Sequence, residues 1–528
     1  MEQKNIFEMK TKILALLLLS ATLGSCNKFL EEKPLAEVAL DQHYKNLYDV
    51  QAAIAGMYSA FQLEMVGKGN YQDNKDNYLE KYLYWGEYRA DNFDRAISYT
   101  KDYVDEIVLN SLTPTNQFSD WSGLYTAIGR INNNIKYIPK AAELDSRITP
   151  EMLKDYLAQC YALRAMCYFY LVRVWGDAPI WLEPYEDVQQ PAASARESKD
   201  KILNEVIIPD LEKAYSLVDK DAKNSLWTIG GAGICAIMSD VYMWKKDYQN
   251  ATKWITRLFL TKSPTGVSYA GTNETNLQDG ASWKTIFVNP TSSKETIWSI
   301  HWDYLKNGCA CMQTSWSPNN KQIIVDEGVW ATWFQPQTTT SPSPDIRPQQ
   351  TLDVYFGLPS NKRDRFIKWY PTDANPTKAD PWPVTNQALP VYLTMYRLSD
   401  MYLLYAEALN GLGDRTNALK YLNFVRKRAR LPQYDANDAT IATSYQLETA
   451  ILDERRLELF GEGKRWFDLV RTGRVKDVMD PILKRRQEEA GNLEKPGFLD
   501  PTNRVYWPIH RNVLNSNKAL VQNPGYTD

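Results

Sequence analysis

Residues 451–474 read ILDERRLELFGEGKRWFDLVRTGR, and the way these charges are used decides the fold. Arg455 lies four residues after Ile451 and four before Leu459, so on an α-helix all three share one face. An arginine on an apolar face needs a carboxylate partner, because removing one member of a buried pair costs about 3–5 kcal/mol. Glu454, Glu458, Glu462 and Arg465 are at hand to close such a network. Catalysis would require two carboxylates set across a cleft in different environments, and neighbours on one helix cannot be placed that way unaided. The stretch therefore reads as bracing inside a helical body, with no catalytic residue and no cofactor implied.

Working outward, helical periodicity dominates the N-terminal half. NLYDVQAAIAGMYSAFQLE puts Val50, Ile54, Met57 and Phe61 on one face, and WSGLYTAIGRINNNIKYI does the same with Leu124, Ile128, Ile131 and Ile135. KDYLAQCYALRAMCYFYLVRVWGD is apolar nearly all round, which places it in the middle of a helical stack. SDVYMWKKDYQNATKWI, from Ser239, aligns with AEALNGLGDRTNALKYL, from Ala406, with Asp247 on Asp414, Ala251 on Ala418 and Trp254 on Tyr421. Each copy is a helix, a tight turn and a second helix, the layout of a tetratricopeptide repeat. The fold class expected is mainly α, a tetratricopeptide-like scaffold. Between residues 264 and 390 Pro, Ser, Thr, Asn and Gly are interspersed with Trp around short runs such as ETIWSIHW and QIIVDEG. That stretch reads as an irregular loop and short-strand ligand-binding face.

The net charge of −3, with 24% charged residues, lacks the basic excess that attracts nucleic acid. The 17 Trp and 33 Tyr exceed what a core requires and point to recognition surfaces. From Met9 the chain reads MKTKILALLLLSATLGSC, with Lys10 and Lys12 ahead of a short apolar run, the pattern of a secretory signal over residues 1–25. Leu23-Gly24-Ser25-Cys26 looks like a bacterial lipobox, making Cys26 the expected lipidation site and membrane anchor. Cys160, Cys167, Cys235, Cys309 and Cys311 read as buried or structural thiols rather than a disulfide framework. His43, His301 and His510 are too scattered for a metal or nucleophile site, and YQDNKDNY from Tyr71 lacks the glycine and terminal glutamate of an EF-hand loop, so no metal is expected.

ILDERRLELFGEGKRWFDLVRTGR closely resembles the C-terminal signature of the SusD/RagB-like family. YALRAMCYFYLVRVWGDAPI from Tyr161, YRLSDMYLLYAEALNGLGD from Tyr396, YWPIHRNVLNSNKALVQNPGY from Tyr506 and the lipobox followed by NKFLEEKP resemble that family too. The resemblance runs from Cys26 to the C-terminus, is weakest between 264 and 390, and divides the chain into an N-terminal helical part, 26–230, and a C-terminal part, 231–528, within one compact body. It implies a lipid-anchored nutrient-binding lipoprotein of the starch-utilization-system type, exposed on the outer membrane of Bacteroidetes-type bacteria. Such proteins capture nutrients, usually glycans, sit as a lid over a SusC-like TonB-dependent transporter, and are not enzymes. Oligopeptide cargo, a scaffold binding only proteins, and a glycoside hydrolase are the competing readings.

Glycan capture needs flat apolar rings for sugar faces and planar polar groups for hydroxyls. KYLYWGEYRADNF supplies Trp85, Tyr88, Arg89, Asp91 and Asn92. The irregular stretch supplies Trp283, Trp298, Trp302, Trp316, Trp330, Trp333, Trp369 and Trp382. Trp330 and Trp333, beside Asp326, Glu327 and Gln335, lead the expectation; Trp302, in SIHWDYLKN, and Trp316, in CMQTSW, follow.

Overall fold

The computed structural model describes residues 43–67, 81–96, 102–186, 190, 193–222, 224–303, 322–339, 341–355, 363–371 and 391–527. Cys26, Tyr71, Cys309, Cys311, Trp316 and Trp382 lie outside the described residues.

Helix α1, Leu47–Val66, starts at a capping box: Asn46 accepts from the backbone of Asp49, whose side chain reaches back. Its expected face, Val50, Ile54, Met57 and Phe61, is buried. After α2, Lys81–Gly86, and α3, Asp102–Val108, comes α4, Ser122–Leu144, which packs along α1. Leu124, Ile128 and Ile131 of α4 are buried and Ile135 packs against the core from its edge. Helix α5, Pro150–Trp175, opens with Thr149 as cap and Pro150 in the first turn, where a missing N–H costs nothing. Its C-terminal half is buried on all sides between α4 and α6, Ile208–Leu217, as its unbroken apolar character requires.

The repeat is present in three dimensions. Helices α7, Gly231–Trp244, and α8, Tyr248–Phe259, form one hairpin; α9, Leu398–Gly411, and α10, Arg415–Arg428, form the other. Asp247 and Asp414 cap the second helices alike, accepting from the backbone N–H of Asn250 at 3.0 Å and of Asn417 at 3.2 Å. Ala251 and Ala418 are both fully buried where the helices of each pair approach. The hairpins stack through α8 and α9 so closely that a Cβ on Gly411 would lie 2.4 Å from the Tyr248 ring. Helix α11, Ser444–Glu458, packs across α9 and α10, followed by α12, Arg465–Thr472, α13, Val475–Glu489, and α14, Arg511–Ser516.

Two antiparallel strand pairs tie the irregular stretch to this frame. Strand β1, Phe93–Arg95, pairs with β3, Ile323–Val325, and β2, Thr296–Ile300, pairs with β4, Leu393–Arg397, through a register irregularity. One hydrophobic cluster spans both parts of the chain, from Tyr44 to Val513. Cys160, Cys167 and Cys235 are buried free thiols within it.

Candidate ligand-binding surface

Glu454, Arg455 and Glu458 of α11 and Arg465, Asp468 and Arg471 of α12 are buried. Arg347 reaches Asp345 at 2.8 and 2.9 Å, Glu454 at 2.7 Å and Glu458 at 3.1 Å. Arg397 pairs with Glu462 at 2.8 and 2.9 Å and with Glu458, while Arg428 joins Glu458 to Glu295. Arg455 bridges Asp400 at 2.8 Å and Asp468 at 2.9 Å. Burial acts to raise the Glu458 carboxyl, yet the guanidiniums of Arg428, Arg397 and Arg347 hold it well below the usual range. Buried and held by three guanidiniums, Glu458 is a paired anion at the centre of a bracing network.

The candidate residues of 85–92 belong to the same interior. Trp85 donates its indole N–H to the Phe118 carbonyl at 2.9 Å and meets Trp175 edge-on. Tyr88 is fully buried, edge-on to Phe93. Arg89 lies 4.3 Å over the Trp466 ring and donates to Asn110 at 2.7 Å. Asp91 is paired with Arg465, and Asn92 is held between Glu87 and Arg456. Burial pushes the Glu87 carboxyl up to about 7, against hydrogen bonds from Asn92 and from the backbone N–H groups of Gly461, Arg465 and Lys464.

The indoles of the irregular stretch are corrected in the same way. Trp283 is sealed against Phe287 with the Lys368 ammonium over its ring, and Trp302 is 2% exposed. Trp330, 4% exposed, stacks on Phe334; Trp333, 6% exposed, donates to Asp345 at 2.9 Å and packs on Phe460. Asp326 receives Arg485 at 2.6 Å and Arg486 at 2.9 Å. Trp298 stacks on Phe61, and Trp369 packs at a tilt against Phe366. Trp85, Tyr88, Arg89, Asp91, Asn92, Trp283, Trp302, Asp326, Trp330 and Trp333, expected at the binding surface, are instead buried, at 6% exposure or less. A segment without regular hydrogen-bonded ladders is held by its large side chains, and here those side chains are spent on packing. Glu327 and Gln335 are exposed.

Accessible aromatic surface gathers elsewhere, around Trp227, His301 and Tyr392. The Trp227 and His301 rings meet edge-on at 4.7 Å, Trp227 and Tyr392 lie 5.1 Å apart, and His301 and Tyr392 5.9 Å. His301 is exposed; Trp227 and Tyr392 are partly so. The β2–β4 pairing positions two of the three, since Ile300 faces Leu393 and their neighbours emerge together at the sheet's end. Gln62 of α1 donates to the His301 carbonyl, and the Tyr58 hydroxyl accepts from the Ile229 N–H at 2.9 Å, fastening the turn that carries Trp227. Beneath the rings a cavity of about 250 Å³ is lined by Tyr58, Ser59, Gln62, Trp227, Trp298 and His301. Sequence reasoning passed over Trp227, although NSLWTIGG sets an indole among turn residues with no apolar periodicity to bury it.

Two family models cover most of the chain: one described as the SusD family matches residues 294–526, and one described as starch-binding associating with outer membrane matches residues 28–254. The chain belongs to the SusD family. A SusD-like protein of Formosa agariphila is 28% identical over 549 residues, covering 96% of each chain, and one of Bacteroides ovatus is 22% identical over 88% of this chain and 82% of its own. Among solved structures, a SusD superfamily protein of Bacteroides vulgatus superimposes with a TM-score of 0.69 at 17% identity, covering 92% of this chain and 100% of its own. A laminarin-binding SusD-like protein does so with a TM-score of 0.66 at 20% identity, with the same coverage. As a SusD family member, this chain shares their mainly helical, tetratricopeptide-like fold.

Proposed function

We propose that this protein captures a glycan at the cell surface through the Trp227–His301–Tyr392 cluster and passes it, chemically unchanged, to a SusC-like TonB-dependent transporter. The observation that carries this reading is the cluster itself. It gathers accessible rings at one sheet end, over a polar-edged cavity, while the candidate indoles among the described residues are buried. Ring-to-sugar contacts are worth about 0.5–1.5 kcal/mol each beyond buried area, so a few together give millimolar to micromolar capture, weak enough for hand-over. Membership of a family associated with the outer membrane and with starch binding supports the setting, and a laminarin-binding relative of the same fold supports the ligand class. Anchoring falls to acyl chains on Cys26.

Affinity electrophoresis against laminarin, soluble starch, galactomannan and alginate, with chromatography of the incubated glycans, tests the reading. Retardation by at least one, weakened in Trp227→Ala/Tyr392→Ala, with no shortened product, is expected; retention of peptides alone, or turnover, overturns it. Cys26→Ser is expected to release soluble protein.

A further inference from the structure

A second aromatic cleft lies apart from the Trp227 cluster. It opens between α4, the segment 177–186 that follows α5, and the C-terminal residues around α14, and encloses about 490 Å³. Three elements contribute ring surface or an apolar wall: Tyr125 from α4, Trp181 and Tyr185 from the 177–186 segment, and Leu520 from the C-terminal segment. Tyr185 is half-exposed, at 51%, and Tyr125 and Trp181 are partly exposed. Polar edges come from Thr126, Ser516 and Asn517, and the one charged side chain among the described lining residues is Glu183.

The walls are fixed before any ligand arrives. Asn132 donates to the carbonyls of Trp181 at 3.1 Å and Glu183 at 3.3 Å, and Arg164 donates to that of Leu182 at 3.1 Å. Arg164 is locked in turn by paired 2.8 Å bonds to Asp210. Tyr168 both donates to the Trp181 carbonyl at 2.8 Å and accepts from its N–H at 2.6 Å. Tyr125 donates to the Pro179 carbonyl at 2.7 Å. A buried arginine and three buried or half-buried polar side chains thus hold one short segment so that its rings face the cleft. Such rigidity lowers the ordering cost of binding.

We infer that this cleft is a second saccharide-binding site, taking a neutral stretch of glycan against Trp181 and Tyr185. The volume falls within the range of small-molecule sites, about 300–1,000 Å³. Rings with hydroxyl and amide edges fit a sugar's apolar face and its hydroxyl rim. With no lysine or arginine among the described residues that line the cleft, and Glu183 repelling anions, uronate or sulfated chains are disfavoured. Helices α1 and α4 pack together while α1 lines the first site and α4 the second, so one long chain engaging both gains avidity.

The ligand class rests on the glycan-capture reading, and the experiment separates the two. Affinity electrophoresis compares wild type, Trp181→Ala/Tyr185→Ala, Trp227→Ala/Tyr392→Ala and the variant combining all four changes on laminarin, soluble starch, galactomannan and alginate. The bonds from Tyr125, Asn132, Arg164 and Tyr168 end on main-chain atoms of residues 179–183, so alanine at 181 and 185 leaves them in place and removes only the Tyr185 hydroxyl's bond to the Gln190 carbonyl. Tyr185→Ala alone, on a half-exposed ring, serves should the pair fail to fold. Expected is a three- to tenfold loss of affinity for at least one neutral polysaccharide from the 181/185 pair, about two- to threefold from Tyr185→Ala, and additional loss when both sites are removed. Wild-type affinity of these variants on every neutral polysaccharide, with the 227/392 variant impaired, overturns this inference alone. Binding of no glycan by wild type overturns both, and alginate retention lost in the 181/185 variant overturns the neutral-ligand assignment.

Discussion

Arg465 grips both carboxylate oxygens of Asp91, at 2.8 and 3.0 Å, across 374 residues of sequence. Two of the most polar stretches in the chain, YRADN and DERRLELFGEGKRW, are therefore the two halves of one internal joint. Asp91→Ala leaves Arg465 buried without its main partner, an expected loss of about 3–5 kcal/mol. Urea unfolding measures it; glycan affinity of the folded protein is expected to stay unchanged.

The indoles at 330 and 333 make the companion case. Trp333→Ala removes a buried ring and orphans Asp345 on one side, so a loss of about 3–5 kcal/mol is expected, with binding retained by whatever remains folded. Trp227→Ala, on a partly exposed ring, is expected to change stability by less than about 1 kcal/mol while weakening binding. Paired unfolding and binding curves separate these roles.

Stability depends on pH with two opposite signs. Burial raises the Asp468 carboxyl, but Arg455 and Arg471 outweigh it and bring the group from 3.8 down to about 2. A depressed carboxylate stabilises fully above its unfolded value and stops doing so as pH falls through the folded one, so this part is lost between about pH 4 and 2. Burial instead raises Glu87 and Glu64 to about 7. Their contribution is full below about pH 4.5 and is lost as pH rises through 7. The urea midpoint is expected to peak near pH 5 and to fall again by pH 8 as these two carboxyls ionise. Equal midpoints for wild type at pH 5 and 8 would count against it.

A close backbone crossing gives a steric prediction. A Cβ on Gly86 would sit 2.0 Å from the Gly463 carbonyl oxygen, where no rotamer relieves the clash. Gly86→Ala is expected to cost about 1–3 kcal/mol by forcing α2 off the turn before α12. Thermal melting reads it out.

The helical frame was legible because its signals are local. Val50, Ile54, Met57 and Phe61 share a face whatever surrounds them, and Asp247 and Asp414 cap helices with the residue three places on. Arg455 on an apolar face forced the existence of partners, although Asp400 and Asp468, 55 and 13 residues away, are fixed only by the fold. Ligand contact was not legible, since exposure of a ring in an irregular segment depends on long-range neighbours such as Asp345 for Trp333 or Lys368 for Trp283. One warning was present: in VWATWF, Trp330, Trp333 and Phe334 recur at helical spacing, the mark of a buried face, and the segment does form a helical turn.

The central claim is that charged braces carry the frame while a few accessible rings hold the cargo. A crystal structure with an oligosaccharide from a retained polysaccharide tests it most directly. The account predicts sugar density against Trp227 and Tyr392; density lodged among Arg455, Glu458 and Asp91, or against an opened Trp330 and Trp333, would contradict it.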